Sequence, residues 1–370
     1  MTYLLLLVCI AIVTIHTGYY VFAFNFLNFH RTITNNNTIP VSVIVCAKNE
    51  AENLKKLLPL LVKQQYADFE IILINDRSSD NTETILEAYE SKYDFIKIVT
   101  VREVEHFHGN KKYALTLGIK AAKNDCLLFT DADCVPKSNL WIQEMSNLFE
   151  SETKIVLGYS PYSIAPYNFL NKLIRYETLM TAVQYFSFAK IGTPYMGVGR
   201  NLLYSKKLFL KNKGFNQHIN IMSGDDDLLI NTISNRKNTQ ICISENTHMV
   251  SAAKTSLKTL VTQKRRHIST AQYYKLKHKI ILGIYAINRT LFWVIFPISL
   301  MLISDLKTRT IIAILIGFKF LSEYIVVGIS AVRLKEKGII PWIIFLDLFL
   351  LLFQLFIFIF NSFHKPKRWS

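Results

Sequence analysis

Long uncharged apolar runs constrain this chain more than any other feature of its sequence. Residues 3–24 contain no charged side chain, and further apolar runs cover 280–303, 311–332 and 339–360. About 20 apolar residues in a helix are enough to cross the hydrocarbon core of a bilayer. The composition agrees, since 51% of the residues are apolar and only 19% are charged. These runs predict membrane-spanning helices at both ends of the chain.

The first run predicts a retained anchor rather than a cleaved signal peptide. No Lys or Arg precedes it, and no small-residue cleavage pattern follows it. We therefore expect an N-terminal transmembrane anchor over 1–30 and a C-terminal membrane region over 280–370 with two or three transmembrane helices. Three C-terminal spans place the basic tail outside, against the positive-inside tendency. Either this chain departs from that tendency, or one of the apolar runs lies in the membrane interface or re-enters the membrane.

Residues 31–279 have mixed charge and ordinary hydrophobicity, which predicts a folded domain between the anchors. The five cysteines are odd in number and show no CxxC spacing, which indicates a reducing cytosol rather than a disulfide framework. The sequence "KRRH" (264–267) lies shortly before a predicted span, as expected on a cytoplasmic side. We expect an integral membrane protein with a cytoplasmic domain, and the compact chain favours a bacterial inner membrane.

The formal net charge of +16 does not indicate nucleic-acid binding. The positive charge concentrates near the predicted spans and in the tail, where anionic membrane lipid explains it better. Membrane lipids are therefore an expected partner and nucleic acid is not. The stretch 160–190, rich in Tyr, Phe and Leu with interspersed basic residues, predicts interfacial helices lying on the membrane.

The middle domain alternates strand and helix patterns. Strand-like segments at 41–45, 69–74, 96–103 and 126–133 alternate with helical spacing of apolar residues in between. Short connections in this order imply right-handed crossovers and an α/β fold with a mainly parallel sheet. Ligands bind beyond the carboxyl ends of the strands in such sheets. No GxGxxG or Walker pattern occurs in the sequence, so side chains rather than a glycine cradle must hold any nucleotide.

The segment "LLFTDADCVP" (127–136) delivers two carboxylates, Asp131 and Asp133, at the end of an apolar strand. Two carboxylates held close together repel each other, so the arrangement is costly unless a cation lies between them. Oxygen ligands of this kind suit Mg²⁺ or Mn²⁺, which complete their coordination with phosphate oxygens. We expect a divalent metal site here, although an isolated acidic pair is also common on solvated loops.

The order of motifs over about 40–270 resembles the membrane-bound family 2 glycosyltransferases, which have a GT-A fold and bind nucleotide sugars. The segments that carry the resemblance are "VSVIVCAKNEAENL", "INDRSSDNT", "KKYALTLGI", "TDADC", "SGDDDLLIN" and "QKRRH". Poly-N-acetylglucosamine, hyaluronan and cellulose synthases and ceramide glucosyltransferase are the most similar types. Each segment alone also has an ordinary structural reading, as a polar loop, a capping turn or a basic stripe beside the membrane.

The resemblance implies roles for residues on the donor side. The residues implied to bind the nucleotide sugar are Ala47, Glu50, Asp76, Lys111 and Asp131, with Asp76 at the uracil edge. Asp131 and Asp133 match the family's metal motif. A UDP-sugar donor with Mg²⁺ or Mn²⁺ as cofactor follows from these matches.

The resemblance also implies catalytic and acceptor-side residues. Asp225 aligns with the family's general base and Asp226 is the alternative one position on, while Gly224 replaces a glutamate of the motif. Gln263 and Arg266 match the Gln-x-x-Arg-Trp motif, with His267 where tryptophan is usual. Gly199 and Arg200 resemble the acceptor-side segment, although a glycine-bearing turn before a strand explains them equally well.

These expectations define an inverting glycosyltransferase that moves a sugar from a nucleoside diphosphate to a membrane-associated lipid or glycan acceptor. A single base acting in one displacement predicts inversion at the anomeric carbon. Two alternatives remain: a processive polysaccharide synthase, which the small number of spans disfavours, and an inactive scaffold subunit that kept the fold. Replacement of the motif glutamate and tryptophan keeps the scaffold alternative open.

Overall fold

The computed structural model describes residues 2–30, 38–102, 111–221 and 223–363. Nine strands lie in this part of the chain: β1 (Val41–Ala47), β2 (Phe69–Asn75), β3 (Ile96–Thr100), β4 (Cys126–Asp131), β5 (Cys134–Pro136), β6 (Ile155–Leu157), β7 (Leu202–Ser205), β8 (Thr239–Ile241) and β9 (Met249–Ser251). Seven of them form one sheet in the order β3-β2-β1-β4-β7-β6-β8. Strand β7 alone runs antiparallel to its neighbours β4 and β6. The predicted α/β fold with a mainly parallel sheet is confirmed.

The helices of the domain cover both faces of this sheet. In the described residues they are α3 (Ala51–Leu61), α4 (Thr82–Glu90), α5 (Lys111–Ala121), α6 (Trp141–Ser146), α7 (Phe169–Lys190), α8 (Lys206–Lys211), α9 (Asp227–Ile233) and α10 (Leu257–Ile268). Two further helices, α1 (Thr2–Thr17) and α2 (Asn25–Asn28), precede the domain and are joined by a π-helical segment, Gly18–Phe24. Three long helices follow it: α11 (Leu276–Leu302), α12 (Leu306–Arg333) and α13 (Ile343–Phe363).

Strand β1 shows why the sheet must be covered on both faces. Its side chains alternate between two separate cores, because successive residues of a strand point to opposite faces. Val43 and Val45 pack with α3 and α6, whereas Ile44 packs with α5 and α7. All three are fully buried. A strand apolar on both faces is typical of a parallel sheet between two helical layers.

Four helical segments among the described residues are long and apolar enough to cross a membrane: Thr2–Asn28, Leu276–Leu302, Leu306–Arg333 and Lys337–Asn361. They coincide with the four apolar runs in the sequence. Three of these helices follow the domain, which is the upper of the two numbers expected. The boundaries at residues 30 and 279, which separate the N-terminal anchor, the middle domain and the C-terminal membrane region, stay a prediction.

Charged residues inside the C-terminal apolar runs pair with one another across helices. Arg289 on α11 contacts the Asp347 carboxylate on α13 at 2.8 Å. Lys319 and Glu323 form a pair within α12, and Lys319 also lies 3.8 Å from Asp347. All four side chains are less than 10% exposed. Ionisable groups at membrane depth are tolerated in this way, facing partners in the bundle rather than lipid.

Arg289→Met is expected to destabilise the bundle strongly, because it leaves the buried Asp347 carboxylate without its close partner. Removing one member of a buried pair costs about 3–5 kcal/mol, whereas replacing both by apolar residues is often close to neutral. Thermal unfolding in detergent should therefore show a lower Tm for Arg289→Met than for the double variant Arg289→Met/Asp347→Leu. A double variant that is less stable than the single one contradicts this assignment.

Helix α7 differs from the interfacial helices predicted for 160–190. It is one helix, and most of its side chains are buried between the sheet domain and the long C-terminal helices. Arg175 in its middle donates from Nε to Glu336 Oε2 at 2.9 Å, in the segment between α12 and α13. The helix thus joins the domain to the membrane-type helices instead of lying on a surface.

Candidate active site

The candidate active site lies at the carboxyl ends of β1 and β4. The register places Cys46 of β1 beside Asp131, the last residue of β4. Lys111, the first described residue of α5, contacts Asp131 Oδ1 at 2.8 Å and Asp225 Oδ2 at 3.3 Å. Burial alone would lower the pKa of Lys111, but the two carboxylates outweigh it and raise the pKa well above its ordinary value. Three predicted site residues are thus brought together around one ammonium group.

Three consecutive aspartates enter the site in different environments. Asp225 faces Lys111, and this attraction overcomes the effect of burial and lowers the pKa of its carboxyl. Burial and the flanking carboxylates raise the pKa of Asp226 to about 7. Asp227 is buried and accepts hydrogen bonds from Thr270 and, at 2.7 Å, from the Tyr274 hydroxyl. Asp225 is therefore the carboxylate that stays ionised and faces the site.

Asp226 acts as the N-cap of α9. Its Oδ1 accepts from the Asp227 backbone N–H at 2.7 Å, and its Oδ2 accepts from the Gly199 backbone N–H at 2.8 Å. A side chain that satisfies the first N–H groups of a helix stabilises that helix end. Both carboxylate oxygens of Asp226 therefore have a structural partner.

Gly224 stands where the related motif has a glutamate, and its conformation explains the difference. Its φ is +92°, in the region that side-chain-bearing residues rarely adopt. A Cβ atom at this position would lie 2.4 Å from the Leu228 Cδ1 atom. A glutamate therefore does not fit this turn without moving the chain that leads to Asp225.

Lys112 was not identified from the sequence, yet it shapes the site. It is 1% exposed, and its ammonium donates to the backbone carbonyls of His218, Ile221 and Ser223 at 2.7, 2.9 and 2.8 Å. Burial lowers the pKa of Lys112 despite the nearby aspartates. These bonds hold the loop that leads into the aspartates. Only the tertiary contact distinguishes this lysine from an ordinary surface lysine.

The expected metal ligands lie among crowded carboxylates. Burial raises the pKa of Glu50, and the charges of Asp133 and Asp131 raise it further. No group of three or more His, Cys, Asp or Glu side chains with metal-site geometry occurs within the described ranges. Two carboxylates nevertheless fit Mg²⁺ or Mn²⁺ held jointly with donor phosphates. The residue types present fit such an ion, and the role of Asp131 and Asp133 as its protein ligands stays a prediction.

The remaining donor-side residues lie at the ends of β1 and β2. The Asp76 backbone N–H donates to the Ala47 carbonyl at 2.8 Å, so the two strand ends are joined. The Asp76 carboxylate is buried and accepts from the Arg77 guanidinium, at 2.8 Å from Nη2. Glu50 lies at the N-terminus of α3. The contact of Asp76 with a base edge stays a prediction, and Arg77 is a neighbour that the motif did not single out.

The acceptor-side residues converge on one cavity of about 950 Å³, together with Lys111, Asp131, Asp133 and the three aspartates. It is lined by the three residues expected on the acceptor side, Gly199, Arg200 and His267. Gln263 and Arg266, which were expected to be catalytic, line it as well. The Arg200 guanidinium lies over the Tyr162 ring, 4.5 Å from its centre. Tyr162 and Lys254 also line the cavity and were not predicted from the sequence.

Strand order, the carboxylates after β4 and the cavity beside them define an α/β domain of the GT-A class. Residues 42–212 match the model of the family described as glycosyl transferase family 2. The chain therefore carries a family 2 glycosyltransferase domain, as the sequence resemblance predicted.

Relatives support the same assignment. The "Probable glycosyltransferase YdaM" of Bacillus subtilis is 30% identical over 163 residues, 42% of this chain and 39% of that protein. The "Cholesterol galactosyltransferase" of Borreliella burgdorferi is 37% identical over 93 residues, 25% of each chain. The "Poly-beta-1,6-N-acetyl-D-glucosamine synthase" of Staphylococcus epidermidis is 37% identical over 95 residues, 26% of this chain and 22% of that one. The matches thus span less than half of these relatives.

The fold itself is shared with a solved structure over nearly its full length. The mannosyltransferase PcManGT from Pyrobaculum calidifontis, solved in complex with GDP-Man and Mn²⁺, superposes with a TM-score of 0.58. The match covers 90% of this chain and 99% of the other, at 16% sequence identity. The likeness therefore includes helices outside the matched family segment.

The pKa of Asp226 makes stability depend on pH. Its carboxyl is raised from an ordinary 3.8 to about 7 in the folded chain, so the folded state binds the proton more tightly than the unfolded state. The stabilisation that this proton gives to the folded state is complete below the ordinary pKa of the carboxyl and is lost as the pH rises through about 7. We expect the metal-free protein to lose about 2–4 °C more in Tm between pH 5 and pH 8 than Asp226→Asn does. Equal losses in both proteins contradict this.

Proposed function

We propose that this chain is an inverting glycosyltransferase of an inner membrane. It moves a sugar from a nucleoside-diphosphate donor to a membrane-associated lipid or glycan acceptor. The observation that carries the proposal is the convergence of Asp225, Lys111 and Asp131 in one cavity at the carboxyl ends of the strands. A UDP-sugar is the proposed donor by resemblance of the nucleotide-side motifs, and a GDP-sugar is the donor in the structural neighbour's complex.

Asp225 is the proposed general base. An ionised carboxylate within reach of the acceptor hydroxyl removes its proton as the oxygen attacks. The bond from that oxygen to the anomeric carbon forms while the bond from the anomeric carbon to the diphosphate breaks, and the diphosphate leaves with the electron pair. Asp226 is a weaker candidate because both of its oxygens already accept backbone N–H groups. One displacement inverts the anomeric configuration, giving a β-linkage from an α-linked donor.

Cationic side chains are proposed to stabilise the leaving diphosphate. Lys111 lies beside Asp131, and Arg266 and Arg200 line the same cavity. Asp131 and Asp133 would hold the divalent ion, which when bound neutralises phosphate charge. Gln263 is proposed to position donor or acceptor from α10. Glu50, Ala47 and Asp76 are proposed to hold the nucleoside at the ends of β1 and β2.

Two other functions use the same fold. A processive synthase would carry the same donor site, and one of the relatives is named as a polysaccharide synthase. An inactive scaffold would retain the fold but not turnover. The ionised Asp225 beside Lys111 favours an active enzyme over the scaffold.

The test is donor turnover by the purified full-length protein. UDP- and GDP-sugars are offered with Mn²⁺ or Mg²⁺ in the presence of membrane lipid, and both binding and nucleoside diphosphate release are measured. We expect binding and turnover with one donor, lost on chelation and in Asp133→Asn. The matched control is Asp94→Asn, which changes an acidic residue outside the cavity. A protein that binds no donor is a scaffold, and an α-linked product excludes the single displacement.

A further inference from the structure

Helix α13 belongs to the most apolar of the four membrane-type segments, yet both of its ends contact the domain. Near its start, the rings of Phe345 and Phe349 lie 6.2 and 5.2 Å from the ring of Phe169, the first residue of α7. Near its end, Arg265 of α10 donates from Nε to Asn361 Oδ1 at 2.7 Å. These two contacts are about 24 Å apart along the helix axis. The domain therefore holds α13 over a length close to that of a membrane crossing.

The middle of α13 also packs on the domain. Phe353 lies in one apolar cluster with Ile174 of α7 and Leu260 of α10. Side chains from Leu351 to Phe358 line the cavity that contains the three aspartates. Helix α13 thus runs alongside the domain from one end to the other, and it forms one wall of the candidate active site.

The part of the membrane region farthest from the domain is built by the other three helices. One buried apolar cluster draws its described side chains from α1, α11 and α12 or from the residue that ends α11, among them Cys9, Ile12, Phe292, Phe296 and Ile312. The cluster lies toward the loop that joins α11 to α12, at the end of these helices away from the domain. The bundle of α1, α11 and α12 therefore extends past the level of α13.

Ion pairs fix the level of α13 along that bundle. The Asp347 carboxylate of α13 contacts Arg289 of α11 at 2.8 Å and lies 3.8 Å from Lys319 of α12. Each of these two cations is about 20 Å of helix axis from the end of its helix at the α11–α12 loop. The hydrocarbon core of a bilayer is about 30 Å thick. Asp347 therefore lies in the half of the membrane nearer to the domain.

The charge of α10 keeps the other end of α13 near the same membrane surface. Helix α10 carries Lys258, Lys264, Arg265 and Arg266. A single Lys or Arg at the bilayer centre costs about 2.5–3.5 kcal/mol or more, so a helix with four of them stays out of the hydrocarbon core. Because Arg265 is bonded to Asn361, the end of α13 stays beside α10 and does not reach the far side of the membrane.

The outward face of α13 is apolar along its length. Phe345, Phe349, Leu352 and Phe356 recur at helical spacing and are 49%, 37%, 54% and 53% exposed. The opposite face packs against α7, α10 and α12. A helix at the level of the lipid headgroups presents a strongly charged face. The uncharged outward face of α13 instead fits the acyl chains just below the headgroups.

We propose that α13 lies within the leaflet on the domain's side and does not cross the membrane. The chain then crosses three times, through α1, α11 and α12, and α13 separates the active-site cavity from the acyl chains. The chain leaves α13 on the domain's side. A cytoplasmic domain and the basic sequence "HKPKRWS" that follows α13 then both agree with the positive-inside tendency.

Three serine-to-cysteine variants test the side on which the chain leaves α13. Ser91→Cys reports the domain, Ser304→Cys reports the α11–α12 loop, and Ser370→Cys reports the end of the chain; Ser91 and Ser304 are exposed. Sealed vesicles made from the expressing membrane carry the full-length protein, and a membrane-impermeant maleimide is added before and after permeabilisation. The unchanged protein, with four buried cysteines and one half-buried cysteine, sets the background.

We expect Ser370→Cys to be labelled from the same side as Ser91→Cys, and Ser304→Cys to be labelled from the opposite side. Labelling of Ser370→Cys from the side of Ser304→Cys overturns the proposal, because α13 would then cross the membrane. Sugar transfer plays no part in this readout, so its outcome is independent of the proposed function.

A cross-link tests the position of α13 itself. The double variant Arg265→Cys/Asn361→Cys is treated in the same vesicles with a short bis-maleimide, and the joined peptides are detected by mass spectrometry. The matched control is Ser304→Cys/Asn361→Cys, which pairs the same position of α13 with the α11–α12 loop. We expect a link in the first pair and its loss in the control. No link in the first pair, or a link in the control, overturns the proposal.

Discussion

Asp225→Asn is expected to lower kcat for sugar transfer by about 10²–10⁴-fold, the usual contribution of a general base. The substitution preserves the shape of the side chain, and the amide oxygen can still accept from Lys111, which lies 3.3 Å from Asp225 Oδ2. Donor affinity should therefore persist while the acceptor hydroxyl loses its proton acceptor. Single-turnover transfer, with donor binding measured separately by calorimetry, distinguishes these two effects.

Asp226→Asn is the matched control for that result. Its carboxylate accepts two backbone N–H groups, so the amide should disturb the start of α9 and leave most of the turnover intact. We expect a smaller loss of kcat than in Asp225→Asn, together with the altered pH dependence of stability. Near-normal turnover in Asp225→Asn together with a large loss of turnover in Asp226→Asn would identify Asp226 as the general base instead.

Lys112→Met is expected to lower kcat by about 10²-fold, because small displacements of catalytic groups have effects of this size. The ammonium is the common donor to three carbonyls of the loop before the aspartates. Methionine fills similar space but leaves these acceptors unsatisfied, at about 1–3 kcal/mol for each buried group. Transfer kinetics and Tm should be measured together, and Lys112→Arg should restore part of kcat.

The control for Lys112 lies on the same helix. Lys120→Met changes an exposed lysine near the end of α5 and should leave kcat unaltered. If Lys112→Met lowers Tm but not kcat, the lysine supports the fold and does not position Asp225. If donor affinity falls while kcat is unchanged, the loop before the aspartates supports donor binding and does not position Asp225.

Local sequence patterns were sufficient to predict the strands and the polar residues at the donor-side edge of the sheet. Strand β4 is continuously apolar from Cys126 to Phe129 and then meets Asp131, so its boundary and the position of the carboxylate follow from adjacent residues. The same holds for β1 and β2, where polar loops follow apolar runs. The four long apolar segments also required only composition and length.

Long-range contacts were not visible in such patterns. The interfacial character predicted for 160–190 failed because the polar positions of α7 are covered by distant parts of the chain, as Arg175 is by Glu336. The charges within the C-terminal runs looked like weaknesses of those runs, yet Arg289 and Asp347 pair with each other. A sequence shows a charge but not the partner that makes its burial tolerable.

The sequence by itself determined the α/β order, the anchoring segments and the acidic residues that end β4, because each depends on residues close together in the chain. Only the tertiary structure decided that Asp225 faces Lys111, that Lys112 holds the preceding loop, and that the cavity opens between α11 and α13. These are contacts between segments far apart in sequence. They form only when packing of the apolar faces fixes where the segments meet, which no local pattern encodes.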